Sequence, residues 1–154
     1  MGLEIERKFL VVGEAWREQV TEATELKQGY LNRDPERTVR VRVAGDQGFL
    51  TIKGRTEGLS RVEFEYEIPL AEAEALLALC ERPIIEKVRH LIPHQGHTWE
   101  LDVFAGENAG LRVAEIELQQ EDEAFVRPEW LGEEVSADRR YYNAALIAHP
   151  YSEW

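Results

Sequence analysis

The stretch LEIERKFLVV, from Leu3 to Val12, alternates between charged and apolar side chains. Glu4, Glu6 and Lys8 stand at every second position, and most of the residues between them are apolar. Alternation with a period of two predicts a β-strand with two chemically different faces. One complete face of this strand is charged, which is unusual for a strand that also carries an apolar face.

The composition restricts the classes of protein to which the chain can belong. Its 154 residues predict one domain spanning residues 1–154. A net charge of −12 argues against nucleic-acid binding, which requires a basic surface. Cys80 is the only cysteine, which excludes an intrachain disulfide and a cysteine metal cluster. No segment resembles a signal peptide or a membrane span, so we expect a cytoplasmic protein with no membrane partner.

Seven further segments follow a β pattern. The clearest pair is the hairpin of Thr38–Ala44 and Phe49–Arg55, which a Gly-Asp-Gln-Gly turn joins. Neighbouring strands are connected by turns that are too short for parallel crossovers. The sequence therefore predicts a mostly antiparallel sheet of about eight strands.

Helices are expected in three places. EAWREQV, after Gly13, is amphipathic over two turns, and LAEAEALLALC, after Pro69, carries strong helix formers with apolar residues at helical spacing. The tail is expected to be helical in two short pieces around Pro128 and Gly132, with Asp138 or Ser136 as the cap of RRYYNAALIA.

Charged side chains recur on one face of nearly every predicted strand. A solvated sheet face is the ordinary cause of such alternation, but it usually mixes Thr, Ser, Gln and Lys. Here the polar face is almost entirely carboxylate, Arg or Lys. Because eight antiparallel strands can close into a barrel, we predict a mainly β fold: a closed eight-stranded antiparallel β-barrel, or tunnel, with a few flanking helices and the charged faces inside. These faces carry Glu4, Glu6, Lys8, Arg40, Arg42, Arg61, Glu63, Glu65, Glu67, Lys87, Arg89, Glu100, Asp102, Glu115 and Glu117.

A lumen lined by both signs of charge has to bind something, because unpaired buried charges cost several kcal/mol each. Arg and Lys suit phosphate oxygens. Paired carboxylates, such as Glu4 with Glu6 and Glu115 with Glu117, suit hard divalent cations, chiefly Mg²⁺ or Mn²⁺. A metal-bound polyphosphate would satisfy both sets of charges. The basic set is Lys8, Arg40, Arg42, Lys53, Lys87 and Arg89.

An ordered set of motifs resembles one known family. EIERKF carries a Glu-x-Glu-x-Lys signature, and VRVR, TIKG, EKVRH, WELDVF and AEIELQ follow in order along the chain. Together they resemble the CYTH superfamily, the triphosphate tunnel metalloenzymes, and especially its short bacterial inorganic tripolyphosphatases. The resemblance covers essentially the whole chain and implies one tunnel domain that binds a linear triphosphate.

The resemblance also implies roles for individual residues. The metal ligands would be Glu4, Glu6, Glu115 and Glu117. The phosphate-binding residues would be Lys8, Arg40, Arg42, Lys53, Lys87 and Arg89. The catalytic set is Glu4, Glu6, Lys8, Glu63, Glu65 and Asp102. The last three belong, with Glu100, to an acidic wall that would orient the basic groups or the waters of a second metal.

These roles predict divalent-metal-dependent hydrolysis of inorganic tripolyphosphate with release of orthophosphate. Three alternatives use the same tunnel: a class IV adenylate cyclase that makes cyclic AMP from ATP, a nucleoside or thiamine triphosphatase, and a polyphosphate sensor without turnover. We also expect a homodimer, because the apolar rows Val39–Val43 and Trp99–Val103 exceed what three short helices can cover.

Several other residues have plain structural interpretations. The histidines His90, His94 and His97 share one hairpin, but their spacing is not a known zinc pattern. Cys80 is expected to be a buried small apolar residue. Four more side chains are weaker candidates for the lumen: Gln28, Tyr30, Arg139 and Arg140.

Overall fold

The computed structural model describes residues 2–154 and contains nine β-strands and two short α-helices. The strands are β1 (Leu3–Val11), β2 (Glu22–Asn32), β3 (Arg37–Ala44), β4 (Gln47–Gly54), β5 (Ser60–Ile68), β6 (Ile85–His94), β7 (His97–Phe104), β8 (Arg112–Glu117) and β9 (Leu131–Glu134). The helices are α1 (Leu70–Leu77) and α2 (Asn143–Ala148), and 3₁₀ turns occupy Ala15–Gln19, Gly106–Asn108, Arg139–Tyr141 and Tyr151–Glu153.

Eight of the strands close into an antiparallel barrel, which confirms the predicted fold. The strand order is β5-β4-β3-β2-β6-β7-β8-β1, and β1 returns to β5 to complete the ring. The closing contact is short and comprises three residue pairs, from Leu3 opposite Val62 to Ile5 opposite Ser60. Every other strand pair in the ring is longer, so the β1–β5 contact is the narrowest seam of the barrel.

The ninth strand was not predicted, and it replaces part of the helical structure expected around Pro128 and Gly132. Since β5 covers only the start of β1, the same edge of β1 is free further along, and β9 pairs there through Phe9 opposite Glu134. A Cβ on Gly132 would lie 3.0 Å from the carbonyl oxygen of Leu10, so glycine permits this close approach. The proline and the tertiary pairing override local helix propensity in this segment.

The apolar faces of the strands point outward and are covered by the chain's own loops and helices. Phe9, Trp99 and Leu101 are fully buried in one cluster with Trp16 and Trp130, which come from segments outside the barrel. A second cluster lies under α1, where a Cβ on Gly48 would come within 2.5 Å of the Cβ of Ala73. The hydrophobic core therefore surrounds the barrel instead of filling it.

A third cluster joins the C-terminal segment to one end of the barrel. Tyr30, Ile85 and Phe104 belong to the inward-facing rows of their strands, and they pack with Leu146 and Ile147 of α2. Asp138 caps the preceding 3₁₀ turn by accepting a hydrogen bond from the backbone N–H of Arg140, as the sequence predicted. The tail thus places α2 against the interior of the barrel.

The two rows on which the expected dimer rested are covered within the chain. Val41, Trp99 and Leu101 have 0% exposure and Val39, Val43 and Val103 are half-buried, so these rows leave little surface for a partner. The row that is exposed lies elsewhere, on the outer face of β5, and includes Phe64 and Tyr66 at 49% and 56% exposure. The expectation that the chain could not cover these two rows was wrong, and dimerisation itself stays a prediction.

Within residues 2–154, none of the helices combines the length and the apolar character needed to cross a bilayer.

Candidate active site

The lumen contains a cavity of about 870 Å³ whose wall is formed by the charged faces of the strands. Nearly all of the site residues predicted from the sequence line this cavity. They are Glu4, Glu6, Lys8, Arg40, Arg42, Lys53, Glu63, Glu65, Lys87, Arg89, Glu115 and Glu117. Asp102 does not line the cavity, because it is 1% exposed and lies behind two of the basic side chains.

Lys8 and Glu115 form the central ion pair of the lumen. They stand opposite each other on β1 and β8, and the ammonium group contacts the carboxylate of Glu115 directly. Lys8 also donates a 3.1 Å hydrogen bond to Glu6. Burial alone would lower the pKa of Lys8, but the two carboxylates raise it above its usual range. Burial would likewise raise the pKa of Glu115, but Lys8 and Arg89 hold it well below its usual range.

Arg89 and Asp102 form a second strong pair, with two parallel hydrogen bonds of 2.8 and 2.9 Å. Arg89 also reaches Glu115 at 3.3 Å and Glu100 at 3.4 Å. Burial opposes the charge of Asp102, but Arg89 and Lys87 overcome it and lower the carboxyl pKa. Asp102 therefore acts as a buried anchor that fixes the position of both basic side chains.

Three further carboxylates orient basic groups on the opposite side of the lumen. Lys53 contacts Glu4 at 3.0 Å and Glu63 at 3.4 Å. Glu65 accepts hydrogen bonds from Arg40 at 3.3 Å and from the hydroxyl of Thr51 at 2.9 Å. The Nε atom of Arg40 is buried and has no hydrogen-bond partner within residues 2–154.

Some carboxylates in the cavity lack sufficient positive charge around them. Burial and the neighbouring Glu115 raise the pKa of Glu6. Burial also raises the pKa of Glu117, and the nearby carboxylates of Glu4 and Glu100 raise it further. This repulsion between carboxylates is what a bound cation would relieve.

Some cations in the same cavity lack sufficient negative charge. Burial lowers the pKa of Lys87 to about 7, although Asp102 lies 2.8 Å away, because Arg89 and Arg42 stand close by. Burial and the neighbouring Arg40 and Arg89 lower the pKa of Arg42 to about 9. Both side chains are still charged to a substantial extent at neutral pH, and a bound anion would stabilise them.

The carboxylate set fits a hard divalent cation in its chemistry. Among residues 2–154, no group of three or more His, Cys, Asp or Glu side chains converges closely enough to enclose a metal ion. Mg²⁺ commonly uses only one or two protein carboxylates and takes its other ligands from water and substrate phosphates. The crowded oxygens of Glu6 and Glu117 suit that mode of binding.

Comparison with known proteins identifies the family of the chain. The sequence model of the CYTH domain matches residues 2–145. The chain belongs to the CYTH family. It is 48% identical over 155 residues to an inorganic triphosphatase of Acetivibrio thermocellus, an alignment that covers 100% of this chain and 99% of the relative. It is 41% identical over 148 residues to an inorganic triphosphatase of Nitrosomonas europaea, with coverage of 93% and 95%.

Solved structures with the same fold include chains of higher and of lower sequence identity. A crystal structure of an inorganic triphosphatase aligns with a TM-score of 0.67 at 38% identity and covers 94% of this chain and 93% of its own. A Pyrococcus horikoshii protein aligns with a TM-score of 0.61 at 21% identity, covering 77% and 80%, and shows similarity of fold alone. The resemblance identified from the ordered motifs is confirmed.

Three residues contact the lumen although the sequence analysis did not assign them to it. Asn143 accepts hydrogen bonds from Lys87 and Gln28, Tyr142 places its ring 6.0 Å from the Lys8 ammonium, and Ser136 accepts a hydrogen bond from the backbone N–H of Lys8. All three come from the tail, more than 100 positions from β1. Local sequence patterns carry no signal for such distant contacts.

Of the four weaker candidates for the lumen, three lie in or beside it and one does not. Tyr30 and Arg139 line the cavity, and Gln28 is buried beside Arg42. Arg140 instead pairs with Asp138 at 2.8 Å and lies over the ring of Trp154.

Two of the histidines and the cysteine make contacts within the fold. His90 contacts the carbonyl oxygen of Leu101, and His97 pairs with Glu123, which gives no zinc site in the described part of the chain. Cys80 is a buried free thiol packed against Gly29.

Substitution of Asp102 tests its role as the buried anchor. We expect Asp102→Asn to lower the free energy of unfolding at pH 7 by about 3 kcal/mol, because it leaves buried cations without their carboxylate. The native pKa of Asp102 lies below its ordinary value of 3.8, so this stabilisation is present above that pH and is lost as the pH falls through the native pKa. Urea unfolding at pH 7 and at several acidic pH values measures both effects.

A matched control is available in Asp138, which also forms a bidentate pair with an arginine but on the surface. We expect Asp138→Asn to have a much smaller effect, because exposed ion pairs contribute little. Equal losses in the two variants would contradict the role assigned to Asp102.

Proposed function

We propose that this chain is an inorganic triphosphatase that binds tripolyphosphate inside the barrel and hydrolyses it to orthophosphate and pyrophosphate. The observation that carries the proposal is the charge imbalance within one cavity. Carboxylates crowd together around Glu6 and Glu117, which raises their pKa values, and cations crowd around Arg42 and Lys87, which lowers theirs. A polyphosphate with a divalent cation supplies both missing charges. The names of the two curated relatives support the same activity.

The phosphate chain is held by the basic set that lines the lumen. Arginines contact phosphate oxygens through their planar forks, and lysines contact them as point charges. The buried Nε of Arg40 has no hydrogen-bond partner and Arg42 has no carboxylate partner within residues 2–154. The set proposed to bind phosphate is Lys8, Arg40, Arg42, Lys53, Lys87 and Arg89.

A divalent cation, Mg²⁺ or Mn²⁺, is proposed as the cofactor. Its ligands would come from Glu4, Glu6, Glu115 and Glu117, of which Glu6 and Glu117 have the raised pKa values that a cation would relieve. Glu115 already contacts Lys8 and Arg89, so its contribution is the most constrained of the four. When bound, the metal neutralises phosphate charge and polarises the reacting phosphoryl group.

The protein's own contribution to hydrolysis is positioning and electrostatic stabilisation. Water attacks the terminal phosphorus, the bond from that phosphorus to the bridging oxygen breaks, and the pyrophosphate leaving group takes the electron pair. Lys8 and Arg89 are fixed by buried carboxylates and stand where they can stabilise the negative charge that develops on these oxygens. Asp102, Glu63 and Glu65 act by holding the basic side chains in place.

Turnover by the purified protein tests the proposal. With Mg²⁺ or Mn²⁺ we expect release of orthophosphate from tripolyphosphate, and much less from ATP, because both curated relatives are named inorganic triphosphatases. Phosphate release and cyclic AMP are measured in parallel. Cyclic AMP without orthophosphate would support the adenylate cyclase alternative, and binding of tripolyphosphate without turnover under any divalent metal would support the sensor.

Arg42 provides a matched test of the tunnel within the same assay. We expect Arg42→Met to lower kcat/KM for tripolyphosphate by about 100-fold, in the range found for loss of one charge-stabilising donor. Its melting temperature should stay the same or rise, since the substitution removes a cation that is repelled by Arg40 and Arg89. The control is Arg37→Met on the same strand, because Arg37 is exposed and pairs with Asp34 outside the lumen. Equal activity losses in both variants would contradict a role inside the tunnel.

A homodimer remains a proposal, and the exposed row on β5 is its best-supported surface. The outer faces of β4 and β5 expose Ile52, Val62, Phe64 and Tyr66, and a second copy could cover this row by a two-fold contact. Light scattering after size exclusion should give twice the chain mass, and Phe64→Glu should give the monomer mass. A monomer for the wild-type protein would contradict the proposal. A single unit over residues 1–154 and a cytoplasmic location also stay predictions.

A further inference from the structure

Two of the proposed phosphate-binding cations are connected by a chain of amide side chains. The Nε of Arg42 donates a 2.8 Å hydrogen bond to the Oε1 of Gln28. The Nε2 of Gln28 donates at 3.2 Å to the Oδ1 of Asn143, and the same oxygen accepts a 2.8 Å hydrogen bond from Lys87. Asn143 is the first residue of α2, so this contact ties the C-terminal segment directly to the lumen.

The neutrality of the two amides is the important property of this chain. An amide oxygen accepts a hydrogen bond from a cation and solvates it, but it does not cancel the positive charge. A carboxylate at either position would form an ion pair and reduce the charge available to a bound anion. The amides therefore orient Arg42 and Lys87 and leave both of them able to attract phosphate.

Lys87 is the more sensitive of the two cations. It is 3% exposed, and the charged groups that face it are Asp102 on β7, Glu115 on β8, and the cations Arg89 and Arg42 on β6 and β3. Only Asp102 and Asn143 accept hydrogen bonds or ion pairs from its ammonium within the described chain. Because burial and two neighbouring cations oppose its charge, loss of the amide oxygen should have a measurable effect.

We propose that Asn143 is a positioning residue that keeps Lys87 protonated and directed into the lumen, so that the C-terminal segment completes the phosphate site. The inference rests on the proposed function for the phosphate-binding role of Lys87, but the contact between Asn143 and Lys87 can be tested separately. Asn143 need not touch the substrate, and it acts through Lys87.

Two substitutions of Asn143 should shift the pKa of Lys87 in opposite directions. Asn143→Ala removes the neutral acceptor and should lower it, whereas the isosteric Asn143→Asp places a carboxylate beside the ammonium and should raise it. The chain has four lysines, Lys8, Lys27, Lys53 and Lys87, so NMR titration of selectively labelled lysine side chains can follow each of them. Arg140→Ala is the control, because Arg140 belongs to the same segment but lies outside the cavity.

The pH dependence of kcat/KM for tripolyphosphate provides the functional measurement. Lys87 loses its proton on the alkaline side of the profile, and in Asn143→Ala this loss should begin at a lower pH than in the wild type. At a fixed pH above both pKa values, kcat/KM should then be lower than in the wild type by about tenfold for each unit by which the Lys87 pKa falls. Asn143→Asp should extend activity to higher pH but raise KM, because its carboxylate opposes the incoming phosphate. Substrate ionisation affects all variants equally and cancels in the comparison.

The possible outcomes separate the inference from the proposed function. If wild-type protein hydrolyses tripolyphosphate but the Ala and Asp variants shift the Lys87 pKa in the same direction, or leave it unchanged, the role of Asn143 is wrong. If wild-type protein shows no turnover, the proposed function is wrong, and the NMR titration still decides whether Asn143 controls Lys87. Should the alanine variant fail to fold, the sign of the shift in the isosteric aspartate variant decides alone.

Discussion

The placement of charged side chains inside a closed barrel is the constraint on which this structure depends. Buried charges are tolerated only when partners surround them, so the lumen cannot serve as a dry core. The apolar faces consequently point outward, and the chain covers them with Trp16, Trp130, α1 and the tail. The barrel is inverted relative to an ordinary small barrel, whose interior is filled by apolar side chains.

Pairing inside the lumen is strong at its centre and incomplete around it. Lys8 with Glu115 and Arg89 with Asp102 are compensated pairs that join neighbouring strands across the interior. Around them, Glu6 and Glu117 are repelled by other carboxylates, while Arg42 and Lys87 are repelled by other cations. The compensated pairs stabilise the fold, and the incompletely compensated groups are the ones for which a metal-bound triphosphate is the complement.

The alternation of side chains predicted most of this architecture, because period two fixes which residues share a face wherever a strand forms. The eight barrel strands and the inward position of Glu4, Arg42, Lys87 and Glu115 followed from that rule and from the family motifs. What could not be predicted depends on contacts between distant segments. The strand β9 forms because β5 covers only the start of β1, and no local pattern around Gly132 reveals that free edge.

The same limit applies to the tail and to the outer surface. Asn143 looks like an ordinary polar residue at the start of a short helix, and only the packing of α2 on the barrel end brings it to Lys87. The row containing Val41 is covered by α1 and the row containing Trp99 by the segments of Trp16 and Trp130, but the sequence does not reveal which strands these segments pack against. Strand patterns report the two faces of a sheet but not which of them the rest of the chain will cover.

The most direct measurement of the central claim is an NMR titration of lysine-labelled protein with tripolyphosphate. Lys8, Lys53 and Lys87 line the lumen, whereas Lys27 lies exposed on the outer face of β2 and serves as an internal control. Binding inside the barrel predicts saturable shifts of the three lumen lysines and none for Lys27. Shifts of Lys27 alone, or of all four lysines without saturation, would contradict the tunnel as the binding site.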